Sequence, residues 1–195
     1  MKVTTWSLQA TEPSGREPRP FPEDVRWERV PGMTPEYARF LYGFIGGDWY
    51  WVDRLGWTRQ QWVDDVTAPA TEFWLLTGEG APLGYAQIHA ELEEDGAHVE
   101  ILHLGLAGSA TGRGLGGRLL EHTIAAAWSL PERFELPPVA RVWVHTCSLD
   151  HPSALANYRA RGLELFRTDE DEKDVAARPP GPWAATGGPV PGSDA

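Results

Sequence analysis

The segment Thr111–Gly117, TGRGLGG, puts four glycines and an arginine into seven residues. Glycine has no Cβ, so backbone N–H groups there can approach a ligand closely, and a helix opening at that point would add the positive end of its dipole. Arg113 adds a formal cation. Phosphate or pyrophosphate is what such a loop could hold. The alternative is a glycine-rich turn with no ligand, although ordering four glycines ahead of a helix is entropically costly. Gly112, Gly114 and Gly117 also match the letters G-x-G-x-x-G of the dinucleotide fingerprint. That fingerprint needs its glycines in the tight turn directly after a strand, with an acid ending the next strand. Here Ala107–Thr111 intervene, and the next strand ends in Val144-His145-Thr146. A Walker-type loop would need Gly-Lys-Ser/Thr, which is absent.

Three other groupings bear on chemistry. His145, Cys147 and His151 lie close in sequence, but no fourth ligand sits at a usual zinc spacing, so no metal is expected. Cys147 near a histidine is also a candidate nucleophile for an acyl-enzyme. The stretch Gly46–Trp62 (GGDWYWVDRLGWTRQQW) holds Trp49, Trp51, Trp57 and Trp62 beside Asp48 and Asp53. Aromatic faces near carboxylates suit an ammonium-bearing substrate, but core packing of a helical layer is the favoured reading of the stretch. The run Asp169–Asp174 (DEDEKD) reads as a solvated edge rather than a cation site.

The elements that must position these residues follow from periodicity. Val25–Val30 alternates like a strand, and Thr34 before Pro35 predicts a helix through Glu36–Phe44. Thr58–Val66 is a second short helix. Glu72–Thr77, Gly84–Glu91 and His98–Leu106 are strand-like runs separated by short turns, which predicts an antiparallel meander. A long helix begins near Gly114, with Leu115, Leu119, Leu120, Ile124, Ala127 and Trp128 at helical spacing. Val139–Thr146 is a strand, Pro152–Arg161 a helix ended by Gly162, and Leu163–Thr168 a last strand. The order β-α-α-β-β-β-α-β-α-β predicts an α/β (α+β) fold, a mixed and mostly antiparallel sheet flanked by helices.

With 195 residues, 42% of them hydrophobic, the chain is long enough for one packed domain. Eleven of 17 prolines lie in residues 1–35 and 179–195, so three zones are expected: a flexible segment over 1–24, a domain over 25–170 and a flexible tail over 171–195. A net charge of −11 and a pI near 4.9 disfavour nucleic acid or an anionic bilayer as partner. A single cysteine and no long apolar span point to a cytoplasmic protein without disulfides.

The strand, loop and long helix around Thr111–Gly117 resemble the GNAT superfamily of N-acetyltransferases, over roughly residues 25–168. In that family a loop of the type Gln/Arg-x-x-Gly-x-Gly/Ala binds the pyrophosphate of acetyl-CoA. Thr111-Gly112-Arg113-Gly114-Leu115-Gly116 occupies it here, with Thr111 at the first position in place of Gln or Arg. A second motif, Asn-x-x-Ala-x-x-x-Tyr, is matched by His151-Pro152-Ser153-Ala154-Leu155-Ala156-Asn157-Tyr158, with His151 replacing the Asn. The resemblance implies an acyl-CoA N-acyltransferase fold and acetyl-CoA as co-substrate. It implies cofactor contacts from the backbone of Leu104 and Leu106, from Thr111, Gly112, Arg113, Gly114, Leu115, Gly116 and Gly117, and from Asn157. It nominates Tyr158 as the acid that protonates the departing thiolate and implies an amine acceptor; the acidic net charge favours a small cationic amine or a peptide amine, handled by a monomer or homodimer.

Acetyl transfer to an amine needs that amine neutral. A lysine-like amine with pKa ~10.4 is neutral about once in 10³ molecules at pH 7, a deficit of ~4.6 kcal/mol, so a base is the larger demand. Glu100 is the first candidate. Strict alternation would put it on one strand face with His98, Leu102 and Leu104, with Val99, Ile101 and His103 opposite, and apolar neighbours would raise its pKa. The alternative is a structural carboxylate paired to the next strand. His103 and His145 are secondary candidates. A different class remains open: an acyl-CoA-binding module without catalysis, which the Thr111 departure favours.

Overall fold

The computed structural model describes residues 1–188. Its elements are β1 (Lys2–Ala10), β2 (Val25–Arg29), α1 (Pro35–Gly46), α2 (Arg59–Val66), β3 (Thr71–Gly78), β4 (Ala81–Glu93), β5 (Gly96–Leu106), α3 (Leu115–Trp128), β6 (Val139–Cys147), α4 (Ala154–Arg159), β7 (Glu164–Glu172) and α5 (Gly181–Ala185). Local chemistry starts the helices. The Thr34 hydroxyl accepts from the Tyr37 amide at 3.2 Å, with Pro35 as the first helical residue. At α2 the Thr58 hydroxyl accepts from the Gln61 amide (3.3 Å), and Gln61 Oε1 accepts from the Thr58 amide (2.9 Å). Glu79 (φ 52°) and Gly80 (φ 80°) take the two left-handed positions of a two-residue hairpin between β3 and β4.

The strands form one seven-stranded sheet in the order β2-β3-β4-β5-β6-β1-β7, antiparallel everywhere except β5 with β6. Helices α3 and α4 cover one face, where Leu8, Ile88, Val99, Ile101, Leu120, Ala127, Val142, Val144 and Leu163 are buried together. Helices α1 and α2 cover the other, over Leu41, Tyr42, Ile45, Trp62, Phe73 and Tyr85. Buried Glu72 ties the sheet to the end of α3: it accepts from Arg133 at 2.6 and 2.9 Å, from Arg29 at 3.0 Å and from the Trp74 indole at 3.0 Å. Arg133 also donates to the Ala126 and Ser129 carbonyls, closing the C-terminus of α3.

The chain ends differ from the expectation of flexible segments. Lys2–Ala10 is a strand in the interior of the sheet, between β6 and β7, with Val3 and Leu8 buried. Its signal is weak in sequence because a register shift at Ser7/Leu8 breaks the two-residue alternation, and its partners lie more than 130 residues away. Residues 19–22 are also held: Arg19 is clasped by Glu121 at 2.6 Å, Arg118 donates to the Pro20 carbonyl at 2.9 Å, and Phe21 stacks on His122. After β7, whose acidic run Asp169–Glu172 does form an exposed edge, α5 seats on α1: the Gly181 amide donates to the Gly47 carbonyl at 3.0 Å. Of the expected tail, residues 189–195 lie outside the described residues.

Candidate active site

Two irregularities in β5 build the site. The first is a bulge. Gln87 of β4 pairs with His103 and Ile88 pairs with Ile101, so Leu102 is left over. The bulge reverses the expected alternation. Ile101, Leu104 and Leu106 face α3, whereas Glu100, His103 and Gly105 share the α1 face. The second is a splay. Parallel pairing of β5 with β6 ends at Glu100↔Trp143, yet β5 continues to Leu106 and β6 to Cys147. From residue 101 onward the backbone groups of β5 on that side have no strand partner, which is where the resemblance placed the Leu104 and Leu106 contacts.

Glu100 stands at the vertex of this opening. Its Oε1 lies 3.1 Å from His145 Nδ1, and that hydrogen bond, outweighing desolvation, raises the His145 pKa. The purely apolar surroundings expected for Glu100 are therefore replaced by an ion-pair partner. His103 belongs to a separate chain of bonds. Arg54 donates to Asp65 Oδ1 (2.7 Å), Gln87 Nε2 donates to Asp65 Oδ2 (3.1 Å), and Gln87 Oε1 is then left to accept from His103 Nδ1 (2.8 Å). This order puts the His103 proton on Nδ1 and leaves Nε2 with a lone pair and no partner among the described residues. Burial, with the nearby Arg54 charge second, holds the His103 pKa well below the usual histidine value. The ring is packed by Tyr42, Trp51 and Tyr85.

At the open end of β5 the chain turns through Gly108–Ala110 into the glycine loop. Gly112 (φ 81°) and Gly114 (φ 70°) are both left-handed, and Gly114 is the residue before α3, with no side-chain cap. The first amides of α3, from Leu115 to Gly117, therefore lack partners within the helix. A Cβ on Gly112 would meet nothing within 4 Å, so the space above it is open. Thr111 Oγ1 bonds back to the Ala107 carbonyl (3.4 Å), and Arg113 reaches Asp24 (3.3 Å). Leu115 is buried, which anchors the start of the helix to the core. Gly117 has a steric reason: a Cβ there would collide with the guanidinium of Arg161 and that of Arg19. Arg161 is a residue the sequence reading missed as part of this cradle; its buried Nε lies 3.3 Å from Glu121 Oε1, an ion pair without hydrogen-bond alignment. Asn157 donates to the Gly116 carbonyl at 3.4 Å, locking α4 onto the first turn of α3. These features fit a diphosphate-bearing co-substrate: free helix-start amides, open space, two left-handed glycines and arginines close by.

On the opposite arm, Asp150 accepts from Thr146 Oγ1 (2.7 Å) and from the Cys147 amide (2.9 Å), shaping the turn into α4. Tyr158 follows, its ring buried beside Val142 and Val144. Burial, with the Asp150 charge second, raises its pKa well above the usual phenol value, so it stays protonated and able to donate. Cys147 has its thiol pushed up by burial, which weakens the nucleophile reading. His145 Nδ1 is committed to Glu100 and His151 Nδ1 accepts from the Ser153 amide; no group of three or more possible metal ligands converges among the described residues. The tryptophans divide. Trp51, Trp57 and Trp62 pack with Tyr42, Tyr85 and Arg54, whereas Trp49 lies edge-on to His151, and Asp48 lies near Gly108.

A family model described as the acetyltransferase (GNAT) family matches residues 33–163, about two thirds of the chain and both arms of the opening. The chain belongs to the GNAT acetyltransferase family. Its fold is similar to a GCN5-related N-acetyltransferase from Sphaerobacter thermophilus (TM-score 0.59, 16% identity, 85% of this chain and 49% of that one). It is also similar to one from Kribbella flavida (TM-score 0.53, 22% identity, 85% and 55%). A third likeness is to an aminoglycoside acetyltransferase from an uncultured soil metagenomic sample (TM-score 0.55, 15% identity, 71% and 88%). This GNAT chain spans about half the length of the first two. No curated protein matches it. No described helix is long and apolar enough to cross a membrane.

Proposed function

We propose that this GNAT protein is an acetyl-CoA-dependent N-acetyltransferase that acetylates an amine, cationic in its resting form, by direct attack in a ternary complex in the cytoplasm. The observation that carries the reading is the convergence of three things on one opening: the unpaired edge of β5, the glycine loop at its end, and Glu100 at its vertex. The co-substrate, when bound, supplies an activated acetyl thioester. The transfer forms one C–N bond and breaks one C–S bond; the amine loses one proton and the departing sulfur gains one.

The residues present divide that work. Thr111–Gly117 and Asn157 hold the phosphate end, and the backbone of Leu104 and Leu106 aligns the arm along β5. Glu100, paired with His145, is the base that takes the amine proton directly or through water. Tyr158, a phenol protonated at neutral pH, is the acid. Its task is modest because a thiol of pKa ~8.5 is already a fair leaving group. The test is calorimetric titration with acetyl-CoA, CoA and NADH, followed by an amine screen. Micromolar binding of acetyl-CoA but not NADH, with turnover of an amine, supports the reading. Binding without turnover of any amine favours an acyl-CoA-binding module, and absence of binding overturns both.

A further inference from the structure

The splay opens toward the C-terminal ends of β5 and β6. Because β1 runs antiparallel to both β6 and β7, the end of β7 lies at that same side: Thr5 pairs with Cys147, and Lys2 with Glu172. From there residues 173–180 leave β1, where the Lys173 amide donates to the Met1 carbonyl, and lead to α1, where the Gly181 amide donates to the Gly47 carbonyl and Ala185 packs against Gly43. The segment is a strap that joins the outer edge of the sheet to α1. Between it and the loop that follows α1 lies a cavity of about 390 Å³, lined by Tyr50, Val52 and Asp53 on the loop side and by Lys173, Asp174 and Arg178 on the strap side. The loop is held rigidly. Tyr50 has a left-handed φ of 60°, and its neighbour Trp51 is wedged against His103 and Gly105. The cavity borders the opening, because Trp51, which stands between the lining residues Tyr50 and Val52, packs on His103 and beside Gly105 in the stretch of β5 beyond its pairing with β6.

Asp53, Lys173, Asp174 and Arg178 have no ion-pair partner among the described residues, although opposite charges line one cavity. We propose that this cavity is the acceptor site, and that the acceptor is a small amine that also carries a carboxylate. The strap residues Lys173 and Arg178 take the carboxylate, and Asp53 on the facing wall holds the ammonium until it is delivered to the base. The volume lies in the lower part of the range for small-molecule sites, which favours a free amino acid over a polypeptide segment.

The inference rests on the transferase reading and is tested so that the two fail separately. Steady-state rates are measured for free α-amino acids, for their carboxamides and decarboxylated amines, and for short peptides with free N-termini. The free acid is expected to exceed its own carboxamide in kcat/KM by about tenfold or more, through KM, as loss of charge-assisted bonds implies. In a Lys173→Ala/Arg178→Ala double variant that ratio falls toward one. Both positions are exposed, so the variant folds. Lys173→Glu provides a second, charge-reversed arm and inverts the preference. Equal or better turnover of carboxamides, decarboxylated amines or peptides by the wild type overturns the acceptor assignment and leaves the transferase standing. No acetyl-CoA binding and no turnover of any amine overturns the transferase reading itself.

Discussion

Replacing the loop glycines one at a time by alanine separates three physical roles that look alike in sequence. At Gly114 the backbone is left-handed (φ 70°, ψ 16°), and the nearest atom to an added Cβ is Arg118 Nη1 at 3.5 Å, an ordinary contact. The substitution therefore clashes with nothing, and its cost is the left-handed conformation alone, about 1–2 kcal/mol. Against a total stability of ~5–15 kcal/mol the protein remains folded. At Gly116, inside α3, the added methyl would lie 3.6 Å from Leu106 Cδ1, again ordinary contact. Alanine there gains helix propensity, so Gly116→Ala is stabilising by about 0.5–1 kcal/mol. At Gly117 the methyl would collide with the guanidinium ends of Arg161 and Arg19, so those side chains must swing aside, which disturbs their pairs with Glu121 rather than the backbone. Urea denaturation gives the three stabilities, and calorimetry with acetyl-CoA gives the affinities. Gly114→Val, with a β-branched residue forced into the same conformation, is expected to lose most of the affinity in a protein that still unfolds cooperatively. If Gly114→Ala matches the wild type within ~0.3 kcal/mol, the left-handed argument fails. If Gly114→Val binds as tightly as wild type, the loop is not the phosphate cradle.

Glu100→Gln is expected to lower the rate with partial recovery at high pH, where free amine is abundant; an unfolded variant would mark Glu100 as structural. Tyr158→Phe keeps the buried ring, so stability should barely change while kcat falls by at most the ~10²–10⁴ of acid–base catalysis; no change in kcat removes its role as acid. Glu72→Gln breaks buried pairs to Arg133 and Arg29 and should cost about 3–5 kcal/mol in urea unfolding, whereas a loss under ~1 kcal/mol would show that solvent screens them. The folded pKa of His103 lies below its unfolded value of ~6.5, so its contribution to stability is present above that pH and is lost as pH falls through the lowered value. His145, raised by Glu100, works in the opposite sense: its contribution is present below ~6.5 and is lost as pH rises through the raised value. Stability of His103→Gln and His145→Gln against pH should show each trend removed separately, and unchanged profiles would refute both assignments.

What was legible in the sequence is what is local. The glycine loop, the Thr34-Pro35 helix start and the Tyr158 motif occupy contiguous residues, so chemistry and spacing are visible together. The three-strand meander was legible because its turns are short. The bulge at Leu102 was not, since nothing in HVEILHLGL marks which residue is left over; pairing with β4 decides it. That single skipped residue moves His103 onto the face of Glu100, so strict alternation separated two side chains that the fold brings together. The Arg54–Asp65–Gln87 chain was missed because its members come from a loop, a helix and a strand with no common spacing. Arg161 lies three residues beyond the second motif, and nothing in the spacing ties its guanidinium to the space left by Gly117. The N-terminal strand was hidden by its polar threonines, its register shift and its distant partners.

The position of β1 also sets a timetable. On the ribosome Lys2–Ala10 emerges well before β6 and β7, and at ~5–20 residues per second it waits on the order of 10 s for them. Until then it has no edge to join. A chain carrying nine strongly apolar residues through that interval would invite aggregation, and KVTTWSLQA, with only Val3 and Leu8 fully buried in the finished sheet, is polar enough to wait. The same arrangement makes the last strand depend on one of the earliest made. Because β7, among the described residues, pairs only with β1, the outer edge of the sheet, and the strap that leaves it, must be assembled late.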